Sequence, residues 1–172
     1  MLYIFGGLPG TGKSALSSAL ASELRAPYLR VDVVEQAMRV AGVKVDGPEG
    51  YIVCYEIARQ NLILGLDVIS DTVNPIRYTR QAWRNVAESL EIPFVEIEVV
   101  CSDECEHKQR ITTHTTDIPG FTLPTWNEVK NRHYEAWDRD HIVIDTAHQT
   151  VTESWMSLRE QLSLKNIVNP LS

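Results

Sequence analysis

The run Gly7-Leu8-Pro9-Gly10-Thr11-Gly12-Lys13-Ser14 follows directly on the apolar stretch Leu2-Tyr3-Ile4-Phe5. It completes the pattern G-x-x-x-x-G-K-[ST], which commits the flanking chain to a strand, a tight loop and a helix. In such a loop successive backbone N–H groups wrap an anion, the lysine reaches the outer phosphates and the hydroxyl ligates Mg²⁺. Its glycines reach backbone angles barred to other residues and let the main chain approach the phosphates closely. Ala15, Leu16, Ala19, Leu20 and Leu24 then recur at helical spacing and predict an amphipathic helix. That helix points free N–H donors and a partial positive charge at the same anion. Gly7, Pro9, Gly10, Thr11, Gly12, Lys13, Ser14 and Ala15 are therefore the expected contacts to a nucleoside triphosphate. The motif alone leaves open where the terminal phosphate goes.

Strand-like and helix-like segments alternate along the rest of the chain. Residues 27–32, 66–71, 93–100 and 141–145 read as four further strands, the second and third ending in Asp32 and Asp71. Helices are predicted over 33–40, over 51–64 with Ile52, Tyr55, Ala58, Leu62 and Ile63 inward, and over 77–90. Another opens with Ser102 as its cap and breaks at Asp117-Ile118-Pro119-Gly120. Thr125-Trp126-Asn127-Glu128 spells a capping box for a helix running to about Trp137, and a last helix covers 152–164. Residues 42–50, with three glycines and a proline, read as a flap. Trp83, Trp126, Trp137 and Trp155 read as helix packing, and residues 166–172 as a loosely held tail. The pattern predicts an α/β fold: a three-layer α/β/α P-loop NTPase domain with a five-stranded, mostly parallel sheet. In such sheets ligands gather beyond the carboxyl ends of the strands, where the loop, Asp32, Asp71 and Asp145 fall.

A length of 172 residues, with 44% apolar and 23% charged side chains, suits one domain spanning 1–172. A net charge of −7 and only five lysines argue against a nucleic-acid partner. No segment has the length of a membrane span and no secretory leader is evident, so a cytoplasmic setting with ATP and Mg²⁺ at hand is expected. Monomer and homodimer both fit. Cys54, Cys101 and Cys105 form no disulfide framework, and Cys101, Cys105, His107 and His114 match no strong metal spacing; these read as ordinary thiols and polar residues.

Phosphoryl transfer needs an acceptor oxygen held in line with the γ-phosphate, a group to take its proton, and a held Mg²⁺. Asp32, opening a helix and a flap, is the expected acceptor-side base. Asp71 is the expected Mg²⁺ or substrate-orienting carboxylate with Ser14, although the two aspartates could exchange roles and either could be an N-cap. Arg110, Arg132 and, more weakly, Lys130 flank the Pro/Gly-rich break and could close over the phosphates as a lid of about residues 107–134. Arg39, Asn74, Arg77 and Arg80 are candidates to receive an acidic or already phosphorylated acceptor. Residues 147–151, after the last strand, could line the adenine pocket.

These segments resemble the small P-loop kinases of the AAA_33, or zeta-toxin-like, predicted kinase group. The likeness runs through Gly7–Ser14, Arg30-Val31-Asp32, Asp71-Thr72-Val73-Asn74-Pro75, Arg110, residues 117–126, Arg132-His133-Tyr134-Glu135-Ala136-Trp137 and Ile144-Asp145-Thr146. It implies an ATP-dependent phosphotransferase with the strand order of nucleotide and shikimate kinases, Asp32 as the acceptor-activating acid and Arg110 as a lid arginine. His114 stands where the group tends to carry a second lid arginine, and neutral histidine offers less charge there.

The expected function is transfer of the γ-phosphate of MgATP to a hydroxyl of a small molecule. A nucleotide-dependent regulatory NTPase is the alternative, but no guanine-selective N-K-x-D is present and Asp117-Ile118-Pro119-Gly120 falls in the lid rather than in a switch. A polynucleotide end kinase fits the fold and not the charge.

Overall fold

The protein is described by a computed structural model, which covers residues 1–164; the expected loose tail, 166–172, lies outside the described residues. At its centre runs β1 (Leu2–Gly6), buried at every position. It pairs in parallel with β3 (Val68–Asp71) on one side and β4 (Phe94–Val100) on the other. β2 (Tyr28–Arg30) and β5 (Ile142–Asp145) complete the edges, giving the all-parallel order β2-β3-β1-β4-β5.

Alternation along β1 divides the core. Tyr3 and Phe5 face α1 (Lys13–Leu24) and α7 (Val151–Leu164), meeting Leu16, Leu20, Leu158 and Leu162. Leu2 and Ile4 face α3 (Glu49–Ile63) and α4 (Arg77–Glu88), meeting Cys54, Ala58, Leu62 and Trp83. The result is the expected α/β/α sandwich. α2 (Val31–Val40) packs on α3, while α5 (Glu104–Thr113) and α6 (Trp126–Lys130) form the helical lid over the carboxyl edge.

Four local expectations are corrected. β2 stops at Arg30, two residues early, because its only partner β3 ends with Asp71 opposite Arg30; Asp32 therefore lies in the first turn of α2. On α3 the buried stripe is Cys54, Ala58 and Leu62, spaced by four, whereas Ile52 and Ile63 are exposed. The window carries two apolar faces, and the smaller side chains take the inner one, where helix and sheet approach closely. α5 is capped by Asp103, whose carboxylate accepts the Glu106 N–H at 2.8 Å, and not by Ser102. The Thr125–Glu128 capping box forms as read, but its helix ends at Lys130, which leaves Arg132 and Trp137 outside any helix.

What replaces that helix is a strap held from below by Arg80. This fully buried side chain donates to the carbonyls of Asn74, Glu135 and Ala136 at 3.3, 3.0 and 3.0 Å. Its guanidinium also lies 4.9 Å from the centre of the Trp137 ring, which stacks on His141. Residues 131–140 form no helix, and the Glu135 and Ala136 carbonyls face inward onto Arg80. Glu135 ties the strap further, its N–H to the Pro75 carbonyl and its carboxylate to the Arg77 N–H. Beside it, the buried Arg84 pairs with Glu96 of β4 at 2.8 Å and with Asp138 of the strap at 2.8 Å.

Replacing Arg80 with alanine strands three carbonyls beneath the strap. Net losses of about 1.5–3 kcal/mol are typical for a charged hydrogen-bonding group, so Arg80→Ala is expected to lower unfolding stability by at least about 2 kcal/mol. The urea midpoint checks this.

Candidate active site

β1 ends at Gly6, and the chain turns through the loop into α1 with Gly7, Gly10 and Gly12 all at positive φ, between 82° and 143°. A side chain at Gly7 is impossible twice over: its Cβ would also fall 2.2 Å from the Val99 carbonyl oxygen. Gly10 is the crest on which α5 rests, since a Cβ there would meet Ile111 at 2.6 Å. His107 Nε2 donates to the Pro9 carbonyl at 2.7 Å, and because a carbonyl only accepts, the ring is protonated at Nε2. Thr146, just past β5, holds the loop from the other side through its hydroxyl to the Thr11 carbonyl at 2.7 Å.

The loop floors a cleft of about 620 Å³. Pro9, Gly10, Gly12, Lys13, Ser14 and Ala15 line it, whereas Gly7 and Thr11 lie behind it, Thr11 turned to the Leu8 carbonyl. Asp32, Arg110 and Arg132 line the same cleft, as do Arg30 and His114, with Phe121, Leu123 and Pro124 on the lid side. At the far end stand Thr146, Gln149, Val151 and Ser154.

Asp71 sits behind Lys13, at the point where β3 meets β1. Lys13 Nζ is 2.6 Å from Oδ1, and the Tyr28 hydroxyl donates to Oδ2 at 2.5 Å. Burial would push the Asp71 carboxyl up; the Lys13 ammonium outweighs it, with hydrogen bonds from Lys13, Tyr28 and Ser14, and holds it below the usual carboxylate range. Tyr28 moves the opposite way, kept protonated by burial and by the Asp71 charge. Asp32 differs from Asp71 in kind. Its burial wins, and the carboxyl is held above its ordinary value although Lys13, Arg30 and Arg132 oppose the shift.

Three expected acceptor contacts stand elsewhere. Arg39 pairs with Glu35 at 3.1 Å on the outside of α2. Arg77 reaches Asp138 at 3.4 Å with its side chain 69% exposed. Asn74 is wholly buried, its amide donating to the Phe5 carbonyl at 2.9 Å. Lys130 pairs with Glu104 outside the cleft, and Arg80 is consumed by the strap. Arg110, although it lines the cleft, is tethered to Glu106 and to both oxygens of Thr146 at 2.7 Å each. Arg30 and Thr146, which carry part of the family likeness, and Tyr28 had no site role assigned from the sequence. Arg30 and Tyr28 alternate with apolar residues on a strand that leads to Asp32, which is the signal that could have found them.

The fold and the cleft together define a P-loop domain of nucleotide-kinase-like architecture. The chain belongs to the AAA_33 family, described as an AAA domain, whose model matches residues 2–153. It is 28% identical over 179 residues to an adenylyl-sulfate kinase of Oceanobacillus iheyensis, covering 95% of this chain and 84% of that protein. It is similar to the Mycobacterium tuberculosis APS kinase CysC solved with AMPPNP and APS, with a TM-score of 0.66, 18% identity and coverage of 94% and 96% of the two chains. It is also similar to a sugar kinase from Janibacter sp. HTCC2649, with a TM-score of 0.67, 16% identity and coverage of 97% and 95%. At such identities the structural likeness speaks for the fold. Among the described residues no helix is long and apolar enough to cross a membrane.

The depressed Asp71 carboxyl makes a stability prediction. Its contribution is complete above the ordinary aspartate range near pH ~4 and is lost as pH falls through its lower folded value. Asp71→Asn also leaves the Lys13 ammonium buried without its counter-ion, at an expected cost of about 3 kcal/mol at pH 7. The gap between wild type and variant in urea unfolding should narrow below pH ~4.

Proposed function

We propose that this protein transfers the γ-phosphate of MgATP to a hydroxyl of a small molecule, in a single domain closed by the lid at about 107–134. The observation that carries the reading is the pairing of two dissimilar carboxylates beside one phosphate loop. Asp71 is locked to Lys13 and kept ionised, while Asp32 lines the open cleft with its proton affinity raised. A general base works best when its pKa approaches the working pH, so Asp32 is the group to orient the acceptor hydroxyl and take its proton as the oxygen attacks phosphorus.

The loop suits a triphosphate: three positive-φ glycines turn its backbone, and Lys13 stands at its end with its charge balanced by Asp71. Gly7, Pro9, Gly10, Thr11, Gly12 and Ala15 supply the backbone cradle. Ser14, on the cleft wall, is the group that would hold Mg²⁺, with Asp71, whose two oxygens are taken by Lys13 and Tyr28, reaching the ion only through water; the ion when bound would neutralise phosphate charge. Arg132 and Arg110 are the cations for charge that spreads over the migrating group. Arg110 must first exchange one of its ties to Thr146 or Glu106, so Arg132 takes the larger share. The far end, with Gln149 and Val151, takes the adenine. This chemistry fits a cytoplasmic setting.

ADP release from MgATP, measured across a broad panel of hydroxyl acceptors, tests the reading. Asp32→Asn is expected to lower acceptor-dependent turnover by about 10²–10⁴-fold with MgATP binding retained, and Lys13→Ala to weaken MgATP binding itself. Equal ADP release with and without every acceptor would favour the regulatory NTPase instead. Because Asp32 titrates above its ordinary value, the acid limb of kcat/KM should lie above pH ~4 and be absent from the residual rate of Asp32→Asn. A limb unchanged in the variant would remove Asp32 from the role of base.

A further inference from the structure

The chain carries a net charge of −7, yet its cleft is lined by Lys13, Arg30, Arg110 and Arg132 against the single carboxylate of Asp32. Lys13 is balanced by Asp71 behind it and Arg110 is tethered at the Thr146 end. Arg30 is placed differently. It ends β2 two residues before Asp32, so it stands on the acceptor side of the proposed base.

Its bonding is incomplete. Nη1 alone donates to both oxygens of Asp117, at 2.9 and 2.7 Å. Nε is buried and finds no acceptor among the described residues, the nearest carboxylate oxygen being Asp71 Oδ2 at 4.0 Å. An arginine built into a permanent pair with a carboxylate commonly presents two nitrogens as a fork. Here one nitrogen is shared between two oxygens, and the partner lies on the lid turn with its side chain 73% exposed, against 17% for Arg30. The cation belongs to the cleft and the anion to the solvent. Such an exposed carboxylate is held weakly, and the turn that carries it is otherwise tied by Gln36 to the Pro119 carbonyl at 3.2 Å and by the buried Ile118 side chain, neither of which uses Arg30.

We propose that Arg30 is the specificity-determining cation of the acceptor site, that Asp117 is its stand-in while the site is empty, and that the acceptor carries an anionic group, carboxylate, sulfate or phosphate, near the hydroxyl presented to Asp32. An oxyanion entering beside Asp32 meets the Arg30 fork, displaces Asp117 and frees the lid turn from the sheet edge. Neutral alcohols leave the Arg30–Asp117 pair intact. This rests on the phosphotransferase reading for the hydroxyl, but the anion site itself is testable without turnover.

Protein saturated with MgAMPPNP, so that the phosphate loop is filled, is titrated with inorganic sulfate. Arg30→Gln is expected to weaken sulfate binding by about tenfold or more. Asp117→Asn, an exposed change that spares the fold, is expected to tighten it by about two- to fivefold, because the competing carboxylate is gone. In ADP-release assays on matched acceptors, glycerate against glycerol and ribose 5-phosphate against ribose, the wild type should favour the anionic member and Arg30→Gln should lose that preference. Equal sulfate affinity in wild type and Arg30→Gln, weaker binding in Asp117→Asn, or no sulfate binding in either wild type or Asp117→Asn overturns the assignment, and acceptor-driven ADP release then stands on its own. Arg30-dependent sulfate binding without acceptor-dependent ADP release supports the anion site and removes the phosphotransferase reading.

Discussion

A carboxylate almost cut off from water, Asp71, organises the edge of the sheet on which the cleft is built. A buried charge is tolerable only when it is paired and hydrogen-bonded, and Asp71 meets that condition with groups from two elements: Lys13 and Ser14 from the start of α1 and Tyr28 from β2. Each tie has a directional effect. The Lys13 bond ties the start of α1 to the end of β3, and the Tyr28 bond fixes the edge strand that ends in Arg30 and leads into the first turn of α2, where Asp32 lies. The position of the phosphate loop relative to the acceptor wall is thus set by one side chain that does not itself line the cleft.

The opposite side of the sheet is organised by arginines. Arg80 and Arg84 rise from α4, fully buried, and hold the strap between α6 and β5 through backbone carbonyls and Asp138. The strap in turn presses Trp137 against Gly6, where a Cβ would come within 2.6 Å of the indole. Arginine residues read as candidate substrate contacts are therefore split by what they reach. Arg80 is structural and Arg77 is turned to Asp138 at the surface, whereas Arg110 and Arg132 line the cleft.

Most of the architecture was legible because it rests on local patterns: the phosphate loop between an apolar run and a helical stripe, β-branched strands, a capping box at Thr125 that forms as spelled. What escaped depends on contacts distant in sequence. Residues 131–137 have helical composition, yet the segment runs as a strap whose Glu135 and Ala136 carbonyls are held by Arg80, some 55 positions away. Ile52 and Ile63 were read inward because α3 has two apolar faces and nothing local ranks them. For the site, the loop, Asp32, Arg110 and Arg132 converge on one cleft as expected, but Arg39 and Arg77 turn to nearby acids on their own surfaces. Arg30, quoted only as part of the family likeness, had no role assigned for the complementary reason. As a strand residue beside a more conspicuous aspartate, its place at the cleft depends on where β2 ends, and that is set by the length of β3.

The ion pair of Arg84 and Glu96 has a consequence for how such a chain can change over time. Either residue replaced alone leaves the other charged and enclosed between α4 and β4, a severe loss, whereas two well-packed apolar side chains introduced together would be close to neutral. The single-step neighbours of this sequence at positions 84 and 96 are then barred while a two-step neighbour is open. Inheritance at these sites should be joint: lineages keep both charges or neither, and Asp138, which shares Arg84, drifts freely only in those that keep neither.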